Sequence, residues 1–139
     1  MRTVFADTVY WIALLNRYDR LHDEAFELRS ELGSTVIVTS EMVLTELLNH
    51  FSGGPSGFRI AVATLVEDIY DDPNCRVIAQ SSGQFRNALH LYKQRPDKEW
   101  SLTDCASILI MQTEDIHEAL THDSHFTQAG FTTLLRDVP

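Results

Sequence analysis

Positive charge is what this sequence has least of. Its 139 residues carry 11 Lys and Arg against 20 Asp and Glu, a net charge of −9. A protein that grips nucleic acid by charge alone is basic. Any action on nucleic acid here therefore needs bound cations or a local basic patch. Cysteine is nearly absent: Cys75 and Cys105 stand apart with no CxxC spacing. That gives no support to a disulfide scaffold and little to a zinc site, and Cys105 sits in an apolar run where a buried thiol is ordinary. The apolar run Val9–Leu15 is too short to span a bilayer and lacks a signal-peptide arrangement, so the expectation is a cytoplasmic protein without a membrane partner. Internal repeats and low-complexity segments are missing. So is a DxD pair at the first strand, where Asp7-Thr8-Val9 stands instead, which argues against a haloacid-type phosphatase.

What remains is enough apolar material, 44% of the chain, for one domain over residues 1–139 with a single well-buried core. Short apolar runs alternate with amphipathic stretches. Val4-Phe5-Ala6, Val36-Ile37-Val38, Arg76–Ala79, Ala119-Leu120-Thr121 and, more weakly, Thr133–Leu135 read as strands. Helices are predicted over Arg20–Leu32, with Gly33 as the stop, and after Ser40, where Leu44, Leu47, Leu48 and Phe51 follow the i, i+3, i+4, i+7 spacing. Others are predicted over Phe58–Tyr70, Ser82–Gln94 and Thr103–Gln112, with breaks at Ser52–Gly57 and Asp71–Asn74. Buried strands alternating with helices predict an α/β fold, a three-layer α/β/α sandwich around a mostly parallel sheet.

Four acids stand beside those apolar runs: Asp7, Glu46, Asp104 and Asp123. In an open parallel sheet, ligands bind beyond the carboxyl ends of the strands. Asp7 directly follows the first strand, and Asp123 follows the fourth within two residues. Glu46 lies in the second turn of the helix after strand two. Asp104 opens a helix that runs antiparallel to the strand it feeds, so its start is level with that strand's end. Asp104 shares a helical face with Ile108 and Met111, on a helix apolar nearly all round. Each acid alone has a plainer reading. Asp7 can cap the next helix, Ser101 and Asp104 fit an S-x-x-D capping box, Glu46 can flank, and Asp123 can turn the chain. Their coincidence at one edge favours a shared site. At about 5 Å and an effective dielectric near 20, each ionised pair costs roughly 3 kcal/mol. Protons or cations must therefore occupy the space between them, and hard oxygen donors favour Mg²⁺ or Mn²⁺.

The segments ADTVYWIAL (Ala6–Leu14), TSEMVLTELL (Thr39–Leu48), SLTDCAS (Ser101–Ser107) and LTHDSHFTQAGF (Leu120–Phe131) carry a further signal. In order and spacing the chain resembles the PIN-domain nucleases, in particular the VapC-like toxins. The resemblance implies that Asp7, Glu46, Asp104 and Asp123 form an acidic quartet holding Mg²⁺ or Mn²⁺, with Asp7 and Asp104 as first ligands. It implies endoribonuclease cleavage of single-stranded or loop RNA, a small antitoxin partner and a homodimer. The helices around Ser52–Gly57, with Ile60, Val62, Leu65, Val66 and Ile69, are the implied assembly surface, and core packing within the monomer explains many of these positions equally well. A housekeeping RNA-processing nuclease and a catalytically silent binding module are the competing readings.

Smaller signals surround the quartet. Ser101, Thr103 and Thr8 offer hydroxyls to a carboxylate or phosphate, and helix capping suits them equally. Lys93, Arg95 and Lys98, with Trp100 as a stacking surface, could meet RNA, though a core Trp100 with solvated charges is the plainer reading. His122 and His125 bracket Asp123 without a third nitrogen or sulfur ligand nearby in sequence. An exposed loop is the first expectation for His125, contact with a phosphate the second. Gly130 is expected to take a backbone geometry that other residues resist.

Overall fold

In the computed structural model, which describes residues 1–135, the central strand β1 (Thr3–Ala6) is flanked by β2 (Val36–Ser40) and β4 (Glu118–Leu120). Outside these lie β3 (Cys75–Ile78) and β5 (Thr132–Thr133), giving the order β3-β2-β1-β4-β5 with every neighbouring pair parallel. Val4, Phe5 and Ala6 have no exposed surface, as a strand buried on both faces requires.

Chain order dictates the layers. From β1 to β2 through α1 (Thr8–Leu15) and α2 (His22–Leu32), then to β3 through α3 (Glu41–His50) and α4 (Ser56–Asp71), the path advances in one direction. Right-handed crossovers put those helices on one face. The return from β3 to β4 through α5 (Ser82–Gln94) and α6 (Leu102–Thr113) reverses direction and covers the other. The packing agrees, since α1 touches α2, α3 and α4 while α5 packs on α6. A short α7 (Ser124–Gln128) joins β4 to β5. The α/β/α sandwich expected from the alternation is the fold observed.

Local chemistry sets the helix ends. Ser40 Oγ accepts from the Val43 N–H at 3.1 Å, and Ser81 Oγ from the Gln84 N–H at 3.0 Å. Gly33 ends α2 at φ +53°, and Gly130 takes φ +96°, a region glycine enters without steric cost. Several expected boundaries shift by one or two residues. The second helix starts at His22 instead of Arg20 because Asp19 Oδ1 accepts the Leu21 N–H at 2.9 Å and holds a turn there. β4 ends at Leu120, leaving Thr121 beyond the ladder, and the weak fifth strand forms at Thr132–Thr133.

Of the two readings of the α4 apolar positions, packing within the monomer accounts for most of them. α3 and α4 do form a hairpin, closed by stacking of Phe51 on Phe58 at 5.2 Å. Of its apolar candidates, Val62 and Ile69 are buried and Leu65 and Val66 are half-buried against the monomer's own core. Ile60 alone projects outward.

Candidate metal centre

The strand order reverses between β1 and β4, because the chain leaves β1 toward β2 and only later returns to β4 on the other side. Such a switch point opens a crevice at the carboxyl ends of the strands. Asp7 follows β1 at that point, and its N–H donates to the Leu120 carbonyl at 3.3 Å. Thr121, fully buried, donates its hydroxyl to Asp7 Oδ2 at 3.1 Å and accepts from the Asp123 N–H at 3.1 Å. One hydroxyl thus ties both walls of the crevice together.

Asp7 occupies the N-cap position of α1 yet makes no side-chain capping bond, so the plain helix-cap reading fails. Asp7 is only 4% exposed. Burial pushes its pKa up to about 7, and the charges of Asp104 and Glu46 push the same way. The Thr8 N–H and the Thr121 hydroxyl pull it down without prevailing.

Asp104 takes the capping role the sequence allowed and also faces the crevice. Ser101 Oγ accepts from the Asp104 N–H at 3.0 Å and Asp104 Oδ2 accepts from the Ser101 N–H at 3.1 Å, a complete capping box. The same Oδ2 faces His125 Nδ1 at 2.8 Å. Asp123 caps α7 through its Oδ1 and the His125 N–H at 2.9 Å, and that Oδ1 lies 3.2 Å from His125 Nδ1. An ionised carboxylate only accepts, so toward either acid the hydrogen bond needs the tautomer with its proton on Nδ1. His125 is therefore no exposed loop residue. It is half-buried on the first turn of α7, wedged between two of the four acids. Asp104, Asp123 and His125 also bring three ligand-capable atoms within 4.8 Å of one another.

Glu46 stands apart from that trio. It is exposed at the rim and lines a concavity of about 240 Å³ with Met42, Thr45, Asn49, Gln80 and Thr103. Thr8 Oγ1 and His122 Nδ1 are buried beside the site without a hydrogen-bond partner. Carboxylate oxygens with one imidazole, and a buried acid whose proton affinity is raised by its neighbours, form a donor set that a hard divalent cation fits.

The outlying candidates divide. Arg95 forks onto Asp97 with two contacts of 3.0 Å and lies over the Trp100 ring at 5.1 Å. Trp100 is 6% exposed and donates Nε1–H to Gln128 Oε1 at 3.1 Å, so it packs in the core and offers no face to a base. Lys93 is exposed, Lys98 is half-buried, and both line a concavity that ends at Ser101. Thr121 is the residue that sequence reasoning missed. A hydroxyl at the end of a buried strand, two residues before a candidate ligand, was the available signal.

Residues 4–132 match the PIN domain. The 23S rRNA-specific endonuclease VapC20 of Mycobacterium tuberculosis, in strains CDC 1551 / Oshkosh and H37Rv, is 28% identical over 136 residues, covering 92% of this chain and 95% of the relative. The crystal structure of M. tuberculosis VapC20, a sarcin-ricin loop cleaving toxin, matches with a TM-score of 0.82 at 26% identity, over 93% of this chain and 96% of that one. VapBC2 from Rickettsia felis, bound to a DNA fragment from its promoter, matches at 0.69 and 13% identity over 95% and 97% of the two chains. At that identity the likeness is one of fold.

Proposed function

This chain belongs to the PIN-domain family, and from that premise we propose that it is a divalent-cation-dependent endoribonuclease, the toxin of a toxin–antitoxin pair. Asp7 carries the reading. A carboxylate held out of water, with its proton affinity raised by burial and by facing acids, destabilises a fold unless charge is put to use there. When bound, Mg²⁺ or Mn²⁺ supplies a water acidic enough to ionise near neutral pH and positive charge beside the phosphoryl oxygens.

The chain's own residues do the rest. Asp7 and Asp104 hold the cation, Asp7 fixed by the Thr121 hydroxyl and Asp104 by its capping box. Asp123, fixed by the His125 N–H, and Glu46 on the open rim complete the shell and orient the attacking water. Thr103 shares the rim concavity with Glu46 and holds a phosphate oxygen there. Ser101 steadies the Asp104 carboxylate through its N–H, and the Thr8 hydroxyl, unpartnered beside Asp7, is available to a water or phosphate oxygen. His125 Nδ1, 2.8 Å from Asp104 and 3.2 Å from Asp123, ties the two carboxylates together. Lys93 and Lys98 receive the RNA backbone, while Arg95, already paired with Asp97, contributes less. Among the described residues no helix is long and apolar enough to cross a membrane, in keeping with work on RNA in the cytoplasm. A small antitoxin and a second copy of the chain are its partners. Ribosomal RNA, the target named for the mycobacterial relative, is the first substrate to try.

The test is cleavage-site mapping on total RNA. Discrete cuts are expected with Mg²⁺ or Mn²⁺, none with EDTA, and none from Asp104→Asn at equal folding by circular dichroism. Equal cutting by parent, EDTA-treated parent and Asp104→Asn would sink the assignment.

A further inference from the structure

The crevice is assembled from two parts that the sheet does not join. Asp7 and Asp123 follow neighbouring strands, and the Thr121 hydroxyl ties them together. Asp104 comes from outside the sheet, on the first turn of α6. Its separation from Asp123 and His125 depends on how α6 sits against α7, and α7 has little of its own to hold it. A five-residue helix is too short to be stable alone. The strands on either side of it, β4 and β5, have three and two residues. Contacts from other elements must therefore place it.

Trp100 supplies one at the right place. It immediately precedes Ser101, the N-cap whose Oγ and N–H both bond to Asp104. It is buried in a small core cluster with Cys105 and Ile108 of α6, and Ala129 and Phe131, just past α7, pack against that cluster. Its Nε1–H donates to Gln128 Oε1 at 3.1 Å, across 28 residues of sequence. Gln128 is the last residue of α7, three positions after His125. Arg95, forked onto Asp97, lies over the indole ring at 5.1 Å and holds it from outside. Gln128 itself is exposed, so core packing does not require its amide to face the indole.

We propose that the Trp100–Gln128 hydrogen bond positions the metal centre. It fixes α7 against the start of α6, and so sets the gap between Asp104 on one side and Asp123 with His125 on the other. Both are positioning residues, acting through the acids without being ligands. The inference rests on the metal-centre reading and extends it to residues outside the donor set. Mg²⁺ demands near-ideal octahedral geometry, so a small shift of α7 is felt as lost affinity. Hydrogen-bonded groups behind metal ligands act in this way elsewhere, and their loss costs about 10- to 100-fold in affinity or activity.

The experiment is calorimetric titration of Mn²⁺ into the metal-free parent, Gln128→Met, Gln128→Glu, Trp100→Phe and the double variant Trp100→Phe with Gln128→Met. Gln128→Met keeps the length of an exposed side chain and removes the acceptor. Its metal-free melting temperature should stay near the parent's, while Mn²⁺ affinity falls about tenfold. Trp100→Phe should lose a similar factor. Gln128→Glu keeps an oxygen for the indole N–H and should bind at least as tightly as the parent. The double variant should lose no more than the weaker single variant, because both changes remove one bond. In RNA cleavage kcat should fall with KM unchanged, and without metal the α7 amides of Gln128→Met should exchange with deuterium faster than the parent's. Parent-like Mn²⁺ affinity and α7 exchange in Gln128→Met overturn the proposal. So does a Gln128→Glu chain as weak as Gln128→Met, or a loss of affinity that only tracks melting temperature, which would make the pair ordinary core support. If Trp100→Phe does not fold, the two Gln128 variants decide. A parent that still binds Mn²⁺ and cuts RNA keeps the nuclease reading through any of these failures, and a parent that does neither removes both.

Discussion

At the ends of β1 and β4, Asp7, Asp104 and Asp123 come from three distant stretches and crowd like charges into a crevice where Asp7 and Asp104 are buried and Asp123 is half-buried. Along α5, Phe85, Arg86, Leu89, Tyr92 and Lys93 come from one continuous stretch and spread opposite chemistry over an open surface. The crevice costs stability, since burial, aided by the charges of Asp104 and Glu46, raises the proton affinity of Asp7, and a proton or a bound cation offsets that cost. The helix face costs little, because exposed side chains keep their water. Substitutions in the two regions should therefore differ in kind: in the crevice activity and stability move in opposite directions, and on the surface stability hardly moves.

The largest expected effect breaks activity and stability apart. Asp7→Asn should lower RNA cleavage by two orders of magnitude or more, on the scale of losing a preorganised electrostatic group. In EDTA near neutral pH it should raise the thermal midpoint, because the buried charge is gone. The sign follows from the pKa. A folded-state value of about 7 exceeds the unfolded one near 4. The folded chain therefore binds the extra proton across that window, and the Asp7 contribution to stability falls as pH rises from about 4 to 7. The Asn variant should lack that slope in thermal scans across the same range. A midpoint lowered by the substitution would mean that the Asp7 charge is satisfied in the fold and the contrast is wrong.

Thr121→Val comes next. It keeps the shape and removes the hydroxyl that fixes Asp7 and receives the Asp123 N–H, so single-turnover cleavage should fall by roughly 10- to 100-fold, as for other groups that orient ligands. Smaller again is the response to cations. Saturating Mg²⁺ or Mn²⁺ should raise the melting temperature of the parent by several degrees and leave Asp104→Asn nearly unmoved. The smallest lies at the far end of α5. Asp97→Ala breaks an exposed pair with Arg95 and should leave the urea midpoint close to the parent's. A larger loss there would show that the helix end bears on the core.

Much of the crevice was readable because chain order controls it. A parallel sheet fixes which ends of its strands face the same way, so Asp7, Asp123 and the start of the Asp104 helix could be set level without coordinates. His125 was not readable. Its place between Asp104 and Asp123 depends on the turn of α7, five residues long, and on a helix 21 residues upstream. Thr121 was hidden because a β-branched residue in an apolar run looks like strand filling, and its two hydrogen bonds are tertiary. Trp100 was open to two readings because an indole suits a core and a base equally. Only the Gln128 acceptor and its burial decide. The α4 apolar positions were ambiguous for a similar reason, since a helix stripe does not say whose core it joins.

β4 has three residues and β5 two, against five in β2. The flank that carries Thr121, Asp123 and His125 is thus pinned by few ladder bonds. Amide hydrogens there should exchange with deuterium ahead of those in β1 and β2, through partial openings that leave the rest of the molecule intact. Occupancy by a cation would close those openings. Fraying at one margin of the sheet would then serve as an off state reached far more cheaply than global denaturation.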